Sequence, residues 1–323
     1  MRKRVIIYGL GEVFKRERMF LEEEFDCIGY SDRNIDKIDL GKDNCKKIMS
    51  YEISKMDYDY VFVCSSAYGE EIKKQLNEDY NIAMEKILME EDLWWYVPNL
   101  LPRKEWIVEK LTKLEKGSVL LDAGAGNMKY KQYCTHLKYV SQDFGEYDES
   151  EKIEGLQTSE SWKSKECDII SDIVNIPMKD ESCDAILCSE VFEHIKNPIL
   201  ALKEFHRLLK DKGILILTAP FCSLTHMAPY YYANGFSKYW FFDNLKDAGF
   251  EIIEYKTYGN WFNYVAKELL RLPYMANRYG ISLDENFEKC IMETLKILMI
   301  QSKNNNGSEE VLCMDSLVYA IKK

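Results

Sequence analysis

The stretch VLLDAGAGNMKY (119–130) holds the residue types best suited to chemistry. An apolar run enters Asp122-Ala123-Gly124-Ala125-Gly126 and is expected to leave as a helix. Glycines at such a bend let backbone approach a ligand closely, and a helix N-terminus supplies unpaired N–H groups. At the C-terminal ends of parallel strands this suits a nucleotide-like ligand. A bare G-x-G is equally a tight turn. Here Gly126 is followed by Asn127-Met128-Lys129, without the third glycine of the dinucleotide fingerprint.

The following apolar runs deliver polar side chains to the same rim. YVSQDF places Asp143 about 20 residues on, where a carboxylate can accept both ribose hydroxyls. IISDIVNIP places Asp172 where it can accept from an adenine amino group. ILCSEVFEHI offers Ser189, Glu190, Glu193 and His194, and LLKDKGILILTAPF supplies a fifth strand. Each carboxylate also has a plain reading. Asp143 and Asp172 can end strands or cap helices, and Glu193-His194 can orient the loop after the fourth strand. His226 follows the fifth strand beside Pro229-Tyr230-Tyr231-Tyr232. A neutral imidazole there can take a proton from a substrate hydroxyl, or be hydrogen-bonded within a tyrosine-rich loop.

Two α/β segments must position these groups. In the first, Arg4–Tyr8, Asp26–Tyr30 and Tyr60–Cys64 read as strands, with helices over Val13–Glu24 and Gly69–Asn77. This gives a small α/β domain over 1–92. The stretch 93–116 contains two prolines and an amphipathic helix, Arg103–Leu114, and reads as linker and helix. From 117 to 323, strands are expected at Val119–Asp122, Lys138–Gln142, Asp168–Ser171, Asp184–Cys188, Ile214–Ala219 and Phe250–Tyr255. The clearest helices are Pro198–Leu209 and Phe236–Ala248, and a final strand lies in VLCMDSLVYAIKK. The fold class is therefore α/β, with a parallel sheet covered on both faces. A helical insertion is expected at about 262–303, whose aromatic start, Trp261–Tyr274, reads as core or as lid. The polar stretch 144–167 shows no helical pattern, which leaves contacts around Phe144 unsettled.

Composition excludes several classes. The 323 residues are 46% hydrophobic and 30% charged, ordinary values for a folded protein with a core. Net charge is −11 and is not confined to a tail, so a nucleic-acid partner is disfavoured. No apolar run approaches the roughly 18 residues of a membrane span, and no secretory leader is evident, so the cytoplasm is the expected location. The ten cysteines form no C-x-x-C pair and read as buried reduced thiols.

With these motifs in place, residues 117–260 resemble the class I S-adenosylmethionine-dependent methyltransferases, type 11 subgroup. The final strand fits the antiparallel strand that closes such seven-stranded Rossmann-like sheets. The resemblance implies S-adenosyl-L-methionine as cofactor. Asp122, Gly124 and Gly126 would flank its methionine part and Asp143 its ribose. Asp172 and the Ile173 backbone would hold the adenine, with Phe144 beside it. Ser189 and Glu190 would lie by the methyl-transfer opening. HMAPYYYANGFSKYWF (226–241) is similar to the substrate-side segment of many members. His226, then His194, are the candidate bases. Glu190, Glu193, His194 and His226 also resemble the metal set of small-RNA 2′-O-methyltransferases. The acidic chain argues against that substrate, and no metal is expected.

The N-terminal VIIYGLGEVFKRE carries its own glycine turn, with Asp32 about 20 residues on. Phe14 occupies the third fingerprint position, where tight packing beside a pyrophosphate is required. The segment resembles small Rossmann-like modules attached to bacterial polysaccharide and nucleotide-sugar enzymes. Nucleotide binding, scaffolding and homodimer contact are its open roles. The implied activity is methyl transfer to a small molecule or glycan, preferably a hydroxyl of a sugar or nucleotide-sugar, within polysaccharide biosynthesis. A non-catalytic assembly protein and an NAD(P)-dependent oxidoreductase are the competing classes.

Overall fold

The computed structural model describes residues 2–11, 13–15, 18, 21–22, 25–38, 40, 46–65, 68–89, 103–146, 155–156, 166–305 and 307–323. The chain divides into two compact units, residues 1–100 with 262–305, and residues 101–261 with 306–323.

In the first unit, β1 (Arg4–Tyr8), β2 (Asp26–Ser31), β3 (Tyr60–Val63) and β4 (Ile87–Met89) form a parallel sheet in the order β2-β1-β3-β4. β4 has only three residues and carried no visible pattern. Val5, Ile7 and Phe62 project into one core, and Ile6, Val61 and Val63 into another, as the two-residue period of strands requires. Helix α1 (Gly69–Glu78) buries Leu76 in the second of these.

The helices expected as an insertion are α5 (Trp261–Arg278) and α6 (Glu285–Lys303). In chain order they interrupt the second unit, but they pack within the first. Ala266, Leu270, Ile291, Leu295 and Leu298 share a core with Val5, Ile7 and Phe62. The helical spacing of these apolar positions is therefore a core signal.

The second unit is a seven-stranded sheet. Its strands are β5 (Val119–Ala123), β6 (Lys138–Asp143), β7 (Ile169–Ile170), β8 (Cys183–Ser189), β9 (Leu209–Pro220), β10 (Phe250–Tyr258) and β11 (Asp315–Lys322). Their order is β10-β11-β9-β8-β5-β6-β7, with β11 antiparallel to both neighbours. Helix α2 (Arg103–Thr112) seats Trp106, Ile107 and Leu111 against Leu120, Leu187 and Leu317 on one face. On the other, α3 (Pro198–Leu208) and α4 (Lys238–Asp247) supply Leu202, Phe205, Phe241 and Leu245. This is the expected seven-stranded Rossmann-like sheet, while residues 262–305 belong to the first unit.

One local expectation fails. No helix follows the glycine turn; residues 124–137 form turns and one short 3₁₀ segment, Lys131–Tyr133. Met128 has φ +52°, outside the right-handed helical region, and breaks the segment. Tyr130 and Cys134 anchor the turns in the core.

Most of 147–165 and the linker 90–102 lie outside the described residues, as does part of the helix expected over Val13–Glu24. Cys134, Cys167, Cys183, Cys188 and Cys313 are buried, unbridged thiols, while Cys290 is exposed. Among the described residues, no helix is long and apolar enough to cross a membrane.

Candidate active site

The chain leaves β5 toward β6 on one side of the sheet and β8 lies on the other, so the strand order switches between β5 and β8. A crevice opens at the C-terminal ends of the strands at such a switch point. Gly124 stands there with φ +76°, and a Cβ on it would lie 2.5 Å from Cγ2 of Val191, just after β8. Only glycine satisfies both limits.

The turn is fastened to β6. The Gly124 and Ala125 amides both donate to the Gln142 carbonyl at 2.9 Å. The Gly126 amide donates to Oδ2 of Asp143 at 2.9 Å, and Gly145 N–H donates to its Oδ1 at 3.1 Å. Each carboxylate oxygen keeps a second lone pair for a hydroxyl donor.

Asp122 is buried beneath the turn and accepts the Tyr139 hydroxyl at 2.6 Å. Burial pushes its pKa up to about 6 against the pull of that bond and of Lys129.

The remaining rim residues differ in their engagement. Asp172 is exposed and its Oδ1 accepts the Val174 amide at 3.1 Å, a turn-forming contact. Ile173 is buried in the core, and Phe144 is exposed with its ring edge-to-face on Tyr230 at 5.5 Å. Ser189 pairs with Thr218 at 3.0 Å. Glu190 has φ +57°; its Oε1 accepts the Thr218 hydroxyl at 2.9 Å and its Oε2 lies 2.6 Å from Nη1 of Arg103.

Arg103 also reaches Asp315 at 2.9 Å. Burial opposes its charge, but Glu190 and Asp315 outweigh that and hold it a cation. The sequence offered no signal for this residue, because its two partners lie far along the chain.

Glu193, His194 and His226 converge. Nδ1 of His194 is 2.6 Å from the Tyr230 carbonyl and Nδ1 of His226 is 2.8 Å from the Leu224 carbonyl. Carbonyls only accept, so both Nδ1 atoms carry hydrogen and both lone pairs are on Nε2. The rings meet edge-to-face at 4.7 Å. Burial and the neighbouring His226 push the His194 pKa down to about 4, so His194 is neutral at neutral pH. Burial, reinforced by Glu190, pushes the Glu193 carboxyl well up. The Glu193 carbonyl accepts the Tyr232 and Ala233 amides, fastening the tyrosine-rich loop to the turn after β8. The short segment at Gly155 and Leu156 lies alongside, with the Leu156 amide donating to the Thr225 carbonyl at 2.8 Å.

Residues 121–217 match the family described as "Methyltransferase domain". The matched stretch lies within the second unit and runs from β5 into β9. The crevice offers features that would fit an adenosyl cofactor: bare backbone at Gly124 and Gly126, and a half-buried Asp143 carboxylate with acceptor capacity left.

Residues 1–88 match a second family, "C2185-like, N-terminal". An uncharacterized protein of Methanocaldococcus jannaschii is 42% identical over 103 residues, 32% of this chain and 41% of that protein. A tRNA (carboxymethyluridine(34)-5-O)-methyltransferase, ALKBH8 of Macaca fascicularis, is 30% identical over 110 residues, 33% of this chain and 15% of that protein. The matched stretches thus span less than half of these relatives. A crystal structure of an S-adenosylmethionine dependent methyltransferase from Mesorhizobium loti has a TM-score of 0.41 at 11% identity, covering 68% of this chain and 97% of that one.

The first unit's glycine turn is closed by its own acid. Oδ2 of Asp32 accepts the Leu10 amide at 2.9 Å and Oδ1 accepts the Asn34 amide at 2.8 Å. Phe14 is buried against Tyr30.

Proposed function

We propose that this protein transfers a methyl group from S-adenosyl-L-methionine to a hydroxyl of a small molecule or glycan, with a sugar or nucleotide-sugar preferred. The observation that carries this reading is the Gly126–Asp143 hydrogen bond at the switch point of the sheet. It ties a bare-backbone turn to a carboxylate at the place where an adenosyl group needs both. The bound sulfonium supplies an electrophilic methyl.

The chain's own task is to align the acceptor and remove its proton. Alignment of two bound reactants supplies most of the acceleration in such a displacement. Asp143 would hold the ribose, Asp172 and the Ile173 backbone would hold the adenine, and Phe144 would border it. Asp122, Gly124 and Gly126 would flank the methionine part, and Ser189 and Glu190 would lie by the opening. His226, with His194 second in line, would take the proton of the acceptor hydroxyl on Nε2. The preference for a sugar follows from the resemblance of the first unit to modules of nucleotide-sugar enzymes. The relative named for tRNA methylation suggests another acceptor, against which the net charge of −11 argues.

Calorimetry with S-adenosylhomocysteine, NAD and NADP tests the reading. Saturable binding of S-adenosylhomocysteine, lost in Asp143→Ala, is expected. Binding of NAD alone would overturn it in favour of an oxidoreductase, and binding of none would favour an assembly protein. Methyl transfer from labelled cofactor to nucleotide-sugars, free sugars and unmodified tRNA then identifies the acceptor.

A further inference from the structure

We propose that Glu193, His194 and His226 hold a divalent transition-metal ion, with Zn(II) the best match to two imidazoles and one carboxylate. Each residue offers one ligand atom, and these atoms all lie within 4.8 Å of one another. Metal–ligand distances near 2 Å bring donors to roughly 3–4 Å apart, so a small contraction closes the site.

Three further observations point to a cation. Glu193 is 2% exposed, and its Oε2 has no hydrogen-bond partner. A buried carboxyl oxygen is costly unless something positive or protic meets it. Arg103, the guanidinium in this neighbourhood, is already bonded to Glu190 and Asp315.

Secondly, both imidazoles are held through Nδ1 by backbone carbonyls. That is how a metal-binding histidine is oriented, with its basic Nε2 turned to the ion. Nε2 of His194 lies 3.7 Å from Oε1 of Glu193.

Thirdly, loop fastening does not explain the cluster. The fastening uses the Glu193 carbonyl and Nδ1 of His194. It makes no use of the Glu193 carboxyl or of Nε2 of His194.

The donors select the metal. Imidazole nitrogen disfavours Mg(II) and Ca(II), and no thiolate is present to favour Cu(I). Three protein ligands leave a fourth position open for water or an acceptor hydroxyl. Glu190, three residues earlier, is not a ligand, because Thr218 and Arg103 engage its two oxygens. If the acceptor occupied the open position, the ion would acidify its hydroxyl, the proton would pass to solvent water, and Nε2 of His226, then a ligand, would not act as the base. That last step rests on the methyl-transfer reading; the binding site does not.

The test uses the full chain, stripped with a chelator and titrated with Co(II), then with Zn(II). The expected result is about one Co(II) per chain, with visible bands of a nitrogen–oxygen site and no thiolate charge-transfer band. Zn(II) should displace it. His226→Ala and Glu193→Gln should each weaken Co(II) by about tenfold or more, and Cys290→Ser should leave it unchanged. No saturable binding, a thiolate-dominated spectrum, or equal affinity in both ligand variants would overturn the proposal. The wild-type spectrum separates nitrogen–oxygen from sulfur ligation even if a variant misfolds. Metal content is read without methyl transfer, so the site and the proposed activity fail or stand separately.

Discussion

The Gly126 amide donates to Oδ2 of Asp143 across 2.9 Å, joining the turn after β5 to the end of β6. Asp143 is thus structural and available for a ligand at once. Replacing it by alanine removes the acceptor proposed for the ribose and loosens the turn. Hydrogen bonds to charged groups contribute about 1.5–3 kcal/mol, so affinity for S-adenosylhomocysteine should fall roughly 10–100-fold. Asp143→Asn keeps one acceptor oxygen and should fall between. Calorimetry on both variants checks this order.

Gly124→Ala should destabilise the protein by about 1–3 kcal/mol, from a left-handed residue and from collision with Val191. Adding Val191→Ala relieves only the collision. The double variant should therefore regain part of the loss in urea melts. Additive losses would show that Val191 had already moved aside.

Arg103→Ala strips the cation from Glu190 and Asp315. The cost should be roughly 2–3 kcal/mol, below that of breaking a fully buried pair, because Arg103 keeps some exposure. Arg103→Met/Glu190→Gln/Asp315→Asn removes the charges together and should lose less than the single variant. Thermal denaturation ranks the two.

Acid stability should carry two opposite signatures. Burial alone would raise Glu254, but bonds from Lys110, Trp106 and Lys256 outweigh it and hold the carboxyl at about 2. Its ordinary value is 4.5, so it binds fewer protons folded than unfolded in between. Its stabilisation is present above about 4.5 and is lost as pH falls toward 2. Asp122 is raised from 3.8 to about 6, so its contribution is complete below 3.8 and is lost as pH rises through 6. Glu254→Gln should flatten the acid limb of a melting-temperature profile, and Asp122→Asn should flatten the fall between pH 4 and 6.

Much of the fold was legible because strands buried on both faces are written as apolar runs. VLLDA and DAILCS became β5 and most of β8 with nearly the expected bounds. The helix after Gly126 was misread because a glycine bend before polar residues has the same local pattern whether a helix or turns follow. Only Met128 in its observed conformation and the anchoring of Tyr130 decide between them.

What the amino-acid order determined by itself was the row of rim residues, since a parallel strand must deliver its last side chains to one edge. What tertiary structure decided was which groups meet. Arg103 finds Glu190, helices between β10 and β11 pack with β1 and β3, and His226 reaches Glu193-His194. Each pairing joins segments separated along the chain. No local spacing encodes it, because it depends on how the elements between them turn and pack.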